Sequence, residues 1–245
     1  MRTSTKILIV TFVIFAASLV IYDFGLRAEY LKGEYIRPFN DYVPLNYRDF
    51  NEIELNASTA VNIMVVQGPF KVLANPAAMD FLKVTQQNKR LIVNAKFNEQ
   101  YHSVNTDYIL YISCPSLSVF SADAHYTKAG IVVTDTAAND FAWKATLISG
   151  FTATNLDIKE NHAANVILEN NKINSLGATV GLNEKSRSNL TIGENNRFNK
   201  TDLNILNKSH LWIKGTNTNN INYHLADSAT LVVNGAAAKH FLKLY

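Results

Sequence analysis

Hydrophobic and polar residues alternate along most of the chain from Phe50 onward, which is the period of β-strands that bury one face. Near the C-terminal end the pattern repeats, because five positions return after a step of 20 residues. These positions are Leu203, Ile205, Leu211, Ile213 and Gly215, which return as Tyr223, Leu225, Leu231, Val233 and Gly235. A repeat of this length is typical of stacked coils, in which equivalent residues lie above one another.

A second block upstream repeats at a longer step of 24 residues. Its positions are Leu156, Ile158, Asn165, Val166 and Leu168, which return as Val180, Leu182, Asn189, Leu190 and Ile192. Leu211 then follows Leu190 after 21 residues. With no helical period of useful length after the N-terminal segment, the pattern predicts an all-β domain. Short strands at steps of 20–24 residues favour a parallel β-helix, and a β-sandwich is the alternative.

The N-terminal segment is apolar and follows a short basic stretch. No charged residue occurs in Ile7–Ile21, and Ile7–Leu26 has the ~20 residues that a helix needs to span a bilayer. Arg2 and Lys6 favour an N-terminus that stays in the cytoplasm. The pattern predicts an uncleaved membrane anchor that includes Ile7, Phe12, Phe15, Val20 and Ile21.

A cleaved signal peptide is the alternative for this segment. Ala16, Ala17 and Ser18 form a small-residue site after a short apolar core, as signal peptidases require. Cleavage there would leave a mature chain that begins at Leu19. In both cases the remainder of the chain is predicted to leave the cytoplasm.

The sequence divides into an anchor or signal segment (1–26), an extended spacer (27–49) and a β domain (50–245). The net charge is +3 over 245 residues, and the basic residues are scattered. Because nucleic-acid binding needs a basic patch, we expect no nucleic-acid partner. The single cysteine, Cys114, excludes an intrachain disulfide and a Cys-based zinc site.

The stretch from Phe50 to Val119 carries three short motifs in order. An F-x-x-I motif begins at Phe50, a V-x-I-x-x-G series lies within Ala60–Gly68, and Tyr111–Leu117 contains I-x-x-P-x-L. In these motifs the chain resembles the head GIN domain family, a domain of unknown function described as an adhesin of the Bacteroidetes cell envelope. The resemblance implies a right-handed parallel β-helix and carries no catalytic residues. It departs from the family at Ser121–His125, where members often have glycine-rich steps.

Candidate chemistry in the β domain is sparse. Asp123 and His125 lie two apart on one strand face, as a base and its orienting group would. In the repeat register, Asp157 has glycine as its counterpart one coil later, so no acidic pair is predicted to persist on one face. Trp212 could stack on a sugar ring among Asn, Ser and Thr side chains. No catalytic, cofactor or metal residue is predicted.

The leading hypothesis is a non-enzymatic β domain tethered by one span to the outer side of the inner membrane, with a binding or scaffolding role in the cell envelope. Its expected partners are the membrane and a glycan or another envelope protein. The first alternative is an exported adhesin module that binds glycan or a host surface after cleavage near Ser18. The second alternative is a degenerate carbohydrate-active β-helix enzyme, which needs two convergent carboxylates.

Overall fold

The computed structural model describes residues 3–32, 39–98, 104, 106–136, 145–214, 221–235 and 237–238. The chain divides into two units, Met1–Asp41 and Tyr42–Tyr245. The first unit contains a single described helix, and the second contains the strands. The described chain is therefore mostly β with one N-terminal apolar helix, which confirms that part of the sequence prediction.

The helix α1 spans Thr3–Lys32, so it continues past Leu26 into the segment expected to be an extended spacer. Its apolar side chains point in every direction, and none of its residues is buried. The five predicted anchor residues are all well exposed. A helix that is apolar all round needs an apolar environment, and this one is long and apolar enough to cross a membrane. A signal sequence has the same features.

The second unit is built from nineteen strands among the described residues. They are β1 Val43–Leu45, β2 Glu52–Leu55, β3 Ile63–Gln67, β4 Lys71–Ala74, β5 Leu82–Gln87, β6 Arg90–Phe97, β7 Leu110–Cys114, β8 Val119–Ala122, β9 His125–Lys128, β10 Ile131–Thr134, β11 Thr146–Ser149, β12 Thr152–Glu160, β13 Asn165–Glu169, β14 Lys172–Val180, β15 Asn189–Ile192, β16 Arg197–Ile205, β17 His210–Ile213, β18 Tyr223–Leu225 and β19 Thr230–Val233. A 3₁₀ helix, Pro76–Ala78, begins after Asn75, whose side chain accepts a hydrogen bond from Ala77 N.

The strands form two sheets of mixed direction. The first sheet has the order β1-β4-β7-β3-β11-β13-β15-β17-β19. The second has the order β10-β9-β6-β2-β8-β12-β14-β16-β18, with β5 paired to β6. From β11 onward successive strands alternate between the two sheets, and each pairs in parallel with the strand two places later. Inward side chains from both sheets share one hydrophobic core.

The 20-residue repeat matches the strand pairing. Leu211 pairs with Leu231 and Leu203 with Tyr223, each in parallel neighbouring strands. The register predicted for the described residues of this block is confirmed. Gly215 lies outside the described residues.

The predicted 24-residue register is correct for one strand of the upstream block and wrong for the other. Asn165 pairs with Asn189 as predicted, but Leu156 pairs with Leu176 rather than with Val180. The corner after β12 has four residues (161–164), whereas the corner after β14 has eight (181–188). The four extra residues lie in the corner after β14. Equivalent residues of neighbouring strands are therefore 20 residues apart in the second sheet and 24 apart in the first. Leu182, the expected counterpart of Ile158, is accordingly exposed.

Buried asparagines explain part of the asparagine richness. Asn196 Nδ2 donates to Leu168 O at 2.7 Å and to Gly193 O at 3.0 Å. Its Oδ1 accepts from the backbone N and the Nδ2 of Asn171, at 3.0 and 3.1 Å. Asn171 in turn bonds Ile148 O and Phe151 N. These amides hydrogen-bond backbone groups at the corners, where buried N–H and C=O groups need partners.

Candidate functional site

A continuous row of mostly apolar side chains crosses the outer face of the first sheet. Successive side chains of a strand point to opposite faces of the sheet. The residues of this row therefore point outward, and their neighbours on each strand point into the core. Trp212, for example, lies between the fully buried Leu211 and Ile213. Pairing of adjacent strands joins the row in the order Leu73, Tyr111, Met64, Leu147, Ile167, Thr191, Trp212 and Val232. We call these residues the Trp212 row.

Polar side chains flank Trp212 on its own strand and beside it. The ammonium of Lys214 lies 5.6 Å from the centroid of the indole ring, within cation–π range. His210 precedes Trp212 by two residues and therefore shares its face. Burial, with a contribution from Arg187, lowers the pKa of His210, so its imidazole is neutral at pH 7. A neutral imidazole can both donate and accept a hydrogen bond.

Gly193 has no side chain to project from the surface beside β17, the strand of Trp212. Gly193 follows the strand that neighbours the Trp212 strand, and Lys214 N bonds Ile192 O across the gap. A Cβ placed at Gly193 would lie 2.8 Å from Glu169 Cγ and 3.0 Å from Leu168 O. The Glu169 side chain thus covers the position that a side chain at 193 would occupy. The ring is thus flanked on its own strand by the Lys214 ammonium and the His210 imidazole, and the Glu169 carboxylate lies on the same face two strands away. Thr191, on the strand between them, is buried and accepts a hydrogen bond from Asn189 Nδ2.

The outer face of the second sheet has a different character. Arg90 contacts Glu52 at 3.0 Å and Glu54 at 3.3 Å, and Lys159 lies 3.6 Å from Asp157. The carboxylates raise the pKa of Arg90, Glu52 most strongly. Exposed ion pairs of this kind contribute little to stability. The two outer faces therefore differ, because one has a mostly apolar row and the other has charged pairs.

Asp123 and His125 lie at the corner that follows β8. His125 Nδ1 is 3.5 Å from Asp123 Oδ2, and Asn161 Nδ2 donates to the same oxygen at 3.3 Å. His162 Nδ1 is closer, at 2.5 Å from Asp123 Oδ1. The structure thus brings the two predicted residues together and adds a second histidine, which lies 39 residues from Asp123 in sequence.

Asn183 identifies the tautomer of His162. Its Nδ2 lies 3.3 Å from His162 Nε2, and an amide nitrogen can only donate. Nε2 is then the acceptor, which places the proton on Nδ1 facing Asp123. His162 therefore links the Asp123 and Asn183 side chains through its two ring nitrogens. His162 has a φ of 51°, and Asn207 has a similar φ of 55° at the equivalent position two coils later. A histidine beside an asparagine at a corner was the available sequence signal.

Metal sites and pairs of acids are two other kinds of site that the residues described by the structure could form. No group of three His, Cys, Asp or Glu side chains there could hold a metal ion. Asp157 and Asp202 both pair with Gly177, so the true register places two acids in one outward row of the second sheet. The prediction that no acidic pair shares a face is therefore wrong, because it used the 24-residue step on this strand. Gly177 separates the two acids on a flat strand surface.

Comparison with known proteins gives structural similarities alone, since no family profile and no curated protein matches the chain. The structure is similar to a "putative adhesin" from Bacteroides fragilis, with 12% identity, a TM-score of 0.45 and coverage of 80% of this chain and 99% of that one. It is similar to a "putative lipid binding protein" from Parabacteroides distasonis (10% identity, TM-score 0.37, coverage 80% and 94%). A "putative adhesin" from Parabacteroides merdae is also similar (11%, 0.35, 80% and 96%). At TM-scores this low, the similarities carry no argument about function.

Proposed function

We propose that this chain is a non-enzymatic binding or scaffolding domain, tethered to the inner membrane by α1 with the β unit on the periplasmic side. The observation that carries the proposal is the Trp212 row, a mostly apolar strip on the outer face of one sheet. Six of its eight side chains are partly exposed, whereas Leu73 and Thr191 are buried. Apolar surface that reaches solvent over several neighbouring residues marks binding sites. The basic residues Arg2 and Lys6 before the apolar helix support the orientation.

A glycan is the ligand class that this surface fits best. The indole ring of Trp212 offers an apolar plane on which the C–H face of a sugar ring can stack. The neutral His210, and the Glu169 carboxylate farther along the same face, supply donors and acceptors for sugar hydroxyls. Lys214 adds a cation, which favours sugars that carry a carboxylate or another negative group.

The fold that we propose for the β unit is a right-handed parallel β-helix of the head GIN type. Support comes from the parallel, in-register pairing of strands β11 to β19, and from the right-handed connections that parallel strands nearly always use. The antiparallel strands β1, β4, β5 and β10 lie at or near the ends of the two sheets. They would make the first coils irregular.

Glycan binding by the full-length chain, reconstituted in lipid nanodiscs, tests this proposal. We expect the wild-type chain to bind a subset of an acidic and neutral glycan array, and Trp212→Ala to reduce that binding at least tenfold. Tyr223→Ala is the matched control, because Tyr223 is a partly exposed aromatic residue on the other sheet. Equal loss in both variants, or no glycan binding by the wild-type chain, would overturn the assignment of this face.

The same array distinguishes the alternatives. Turnover of a bound oligosaccharide that Asp157→Asn and Asp202→Asn each abolish would support the carbohydrate-active enzyme. Binding by a chain that begins at Leu19 and is recovered from the culture medium would support the exported adhesin. Retention of the full chain in membranes with binding and no turnover is the result that we expect.

A further inference from the structure

Among the described residues, the strand at one end of the second sheet, β10, presents an apolar edge that no strand covers. In the described part of the chain β10 pairs with β9 alone. Ile131 and Val132 are 69% and 66% exposed, so side chains on both faces of this strand meet solvent. Its four residues include no charge and no proline. Edge strands are usually protected by such residues, because an open edge pairs readily with another strand.

The preceding turn fixes which backbone groups of β10 point away from β9. Ala129 and Gly130 have φ values of 50° and 79°, the combination found in a tight type I′ hairpin turn. Ile131 pairs with Lys128 next to this turn. That first pair exchanges hydrogen bonds in a two-residue hairpin, and the pattern alternates along the strand. The N–H and C=O groups of Val132 and Thr134 therefore point outward, in position to bond another strand.

We propose that this edge pairs with the same edge of a second copy of the chain, antiparallel and about a two-fold axis at Val132. Two-fold symmetry requires opposite residues to point to the same face, so Val132 lies opposite Val132 of the partner subunit. Ile131 then lies opposite Val133 of the partner subunit. The two most exposed side chains of the strand are both covered, and the outward backbone groups of Val132 gain partners.

The chemistry of the strand favours a second copy over an unrelated peptide. A two-fold pairing places each residue against another from the same short segment, so a charge there would face a like charge or lie near one. This segment has none, and its β-branched residues form favourable cross-strand pairs with one another. The pairing surface is small, so we expect an association that grows with concentration. It is independent of the Trp212 row, which lies on the other sheet.

Disulfide trapping in the full-length chain tests this pairing. Directly opposite residues of antiparallel strands are within the Cα separation that a disulfide spans, so Val132→Cys should form a covalent dimer under mild oxidation in nanodiscs. The native Cys114 will not interfere, because it is fully buried and burial raises its pKa to about 12. Leu182→Cys is the matched control, since Leu182 is an exposed apolar residue at a corner. We expect at least tenfold less dimer from the control.

A second variant keeps the test independent of the disulfide. Val132→Lys places two ammonium groups opposite each other in the dimer and leaves β10 paired to β9. In analytical ultracentrifugation of the full-length chain in detergent, we expect concentration-dependent dimers for the wild-type chain and at least tenfold weaker association for Val132→Lys, with an unchanged circular dichroism spectrum. Equal cross-linking at positions 132 and 182, a monomeric wild-type chain, or trapping of Val132→Cys on a different protein alone would overturn the proposal.

Discussion

Asp123 Oδ1 lies 2.5 Å from Nδ1 of His162, so two corners that are adjacent in the stack are joined through their side chains. Asn183 extends this link to the next corner through His162 Nε2. The contacts hold His162 at a positive φ, a conformation that is uncommon for a residue with a side chain. The link therefore stabilises the corner rather than creating a reactive group.

Removal of the Asp123 carboxylate should destabilise the β unit. Asp123→Ala leaves the Nδ1–H of the half-buried His162 without its acceptor, which we expect to lower the free energy of unfolding by about 1–2 kcal/mol. Thermal unfolding of the full-length chain in detergent, followed by circular dichroism, measures the change. Asp227→Ala at an exposed corner is the control and should have no effect. An unchanged unfolding temperature for Asp123→Ala would contradict the role of this link.

Glu160 should make the stability depend on pH. Its side chain is fully buried, neither carboxyl oxygen has a hydrogen-bond partner among the described residues, and burial raises its pKa well above the usual value. The folded chain thus keeps a proton that the unfolded chain releases above pH ~4.3. The contribution of Glu160 to stability is therefore fully present below that pH and falls as pH rises toward the folded-state pKa, by up to about 1.4 kcal/mol per pH unit.

Glu160→Gln should remove this slope and stabilise the chain at pH 7, because an amide does not ionise. Urea unfolding between pH 4 and pH 8, on the order of one measurement per half pH unit, gives the comparison. Glu194→Gln, at an exposed position, should retain the wild-type slope. A slope of the same size in Glu160→Gln would show that other groups control the pH dependence.

The buried Asn196 should be among the most sensitive polar positions. Asn196→Ala removes the side-chain donor to Leu168 O and Gly193 O and the side-chain acceptor for Asn171, so we expect a loss of at least about 2 kcal/mol. Asn199→Ala serves as the control, because that side chain forms an exposed ladder with Asn174. The control should change stability by less than about 0.5 kcal/mol. Similar unfolding midpoints for the two variants would rule out a structural role for the buried amides.

Alanine substitution at two glycines with positive φ distinguishes the cost of backbone strain from the cost of steric overlap. A Cβ at Gly181 would lie 2.6 Å from Leu206 O and still closer to Ser209 Oγ, whereas one at Gly150 would have no neighbour within 4 Å. Both have φ near 80–90°. We expect Gly150→Ala to cost about 1 kcal/mol from backbone strain alone, and Gly181→Ala to cost clearly more. Differential scanning calorimetry of both variants tests this order, and a reversed order would mean that the corner at Gly181 is packed differently.

Much of the fold could be predicted from sequence, and the failures have identifiable causes. The alternation from Phe50 onward identified the strands, and the 20-residue step gave the register of Leu211 with Leu231 because the corners between those coils have equal length. The 24-residue step predicted the wrong partner for Leu156, because extra residues in a corner lengthen the spacing between strands of one sheet and not of the other. Periodicity cannot reveal which of two corners has absorbed extra residues.

The candidate site was only partly accessible from sequence for a related reason. Asp123 and His125 are close in sequence, so their contact could be anticipated from strand geometry alone. His162 lies one coil further on, and its contact with Asp123 depends on the register of a neighbouring strand. The Trp212 row likewise combines residues from eight strands, and no local pattern reports that they share a face.

The mass of the mature protein in isolated cell membranes tests the membrane tether most directly. We expect an intact chain that begins at or near Met1 and stays in the membrane fraction after washing with high salt and carbonate. A mature chain that begins at Leu19 and is recovered outside the membrane fraction would contradict a permanent anchor, and would make α1 a removed signal sequence.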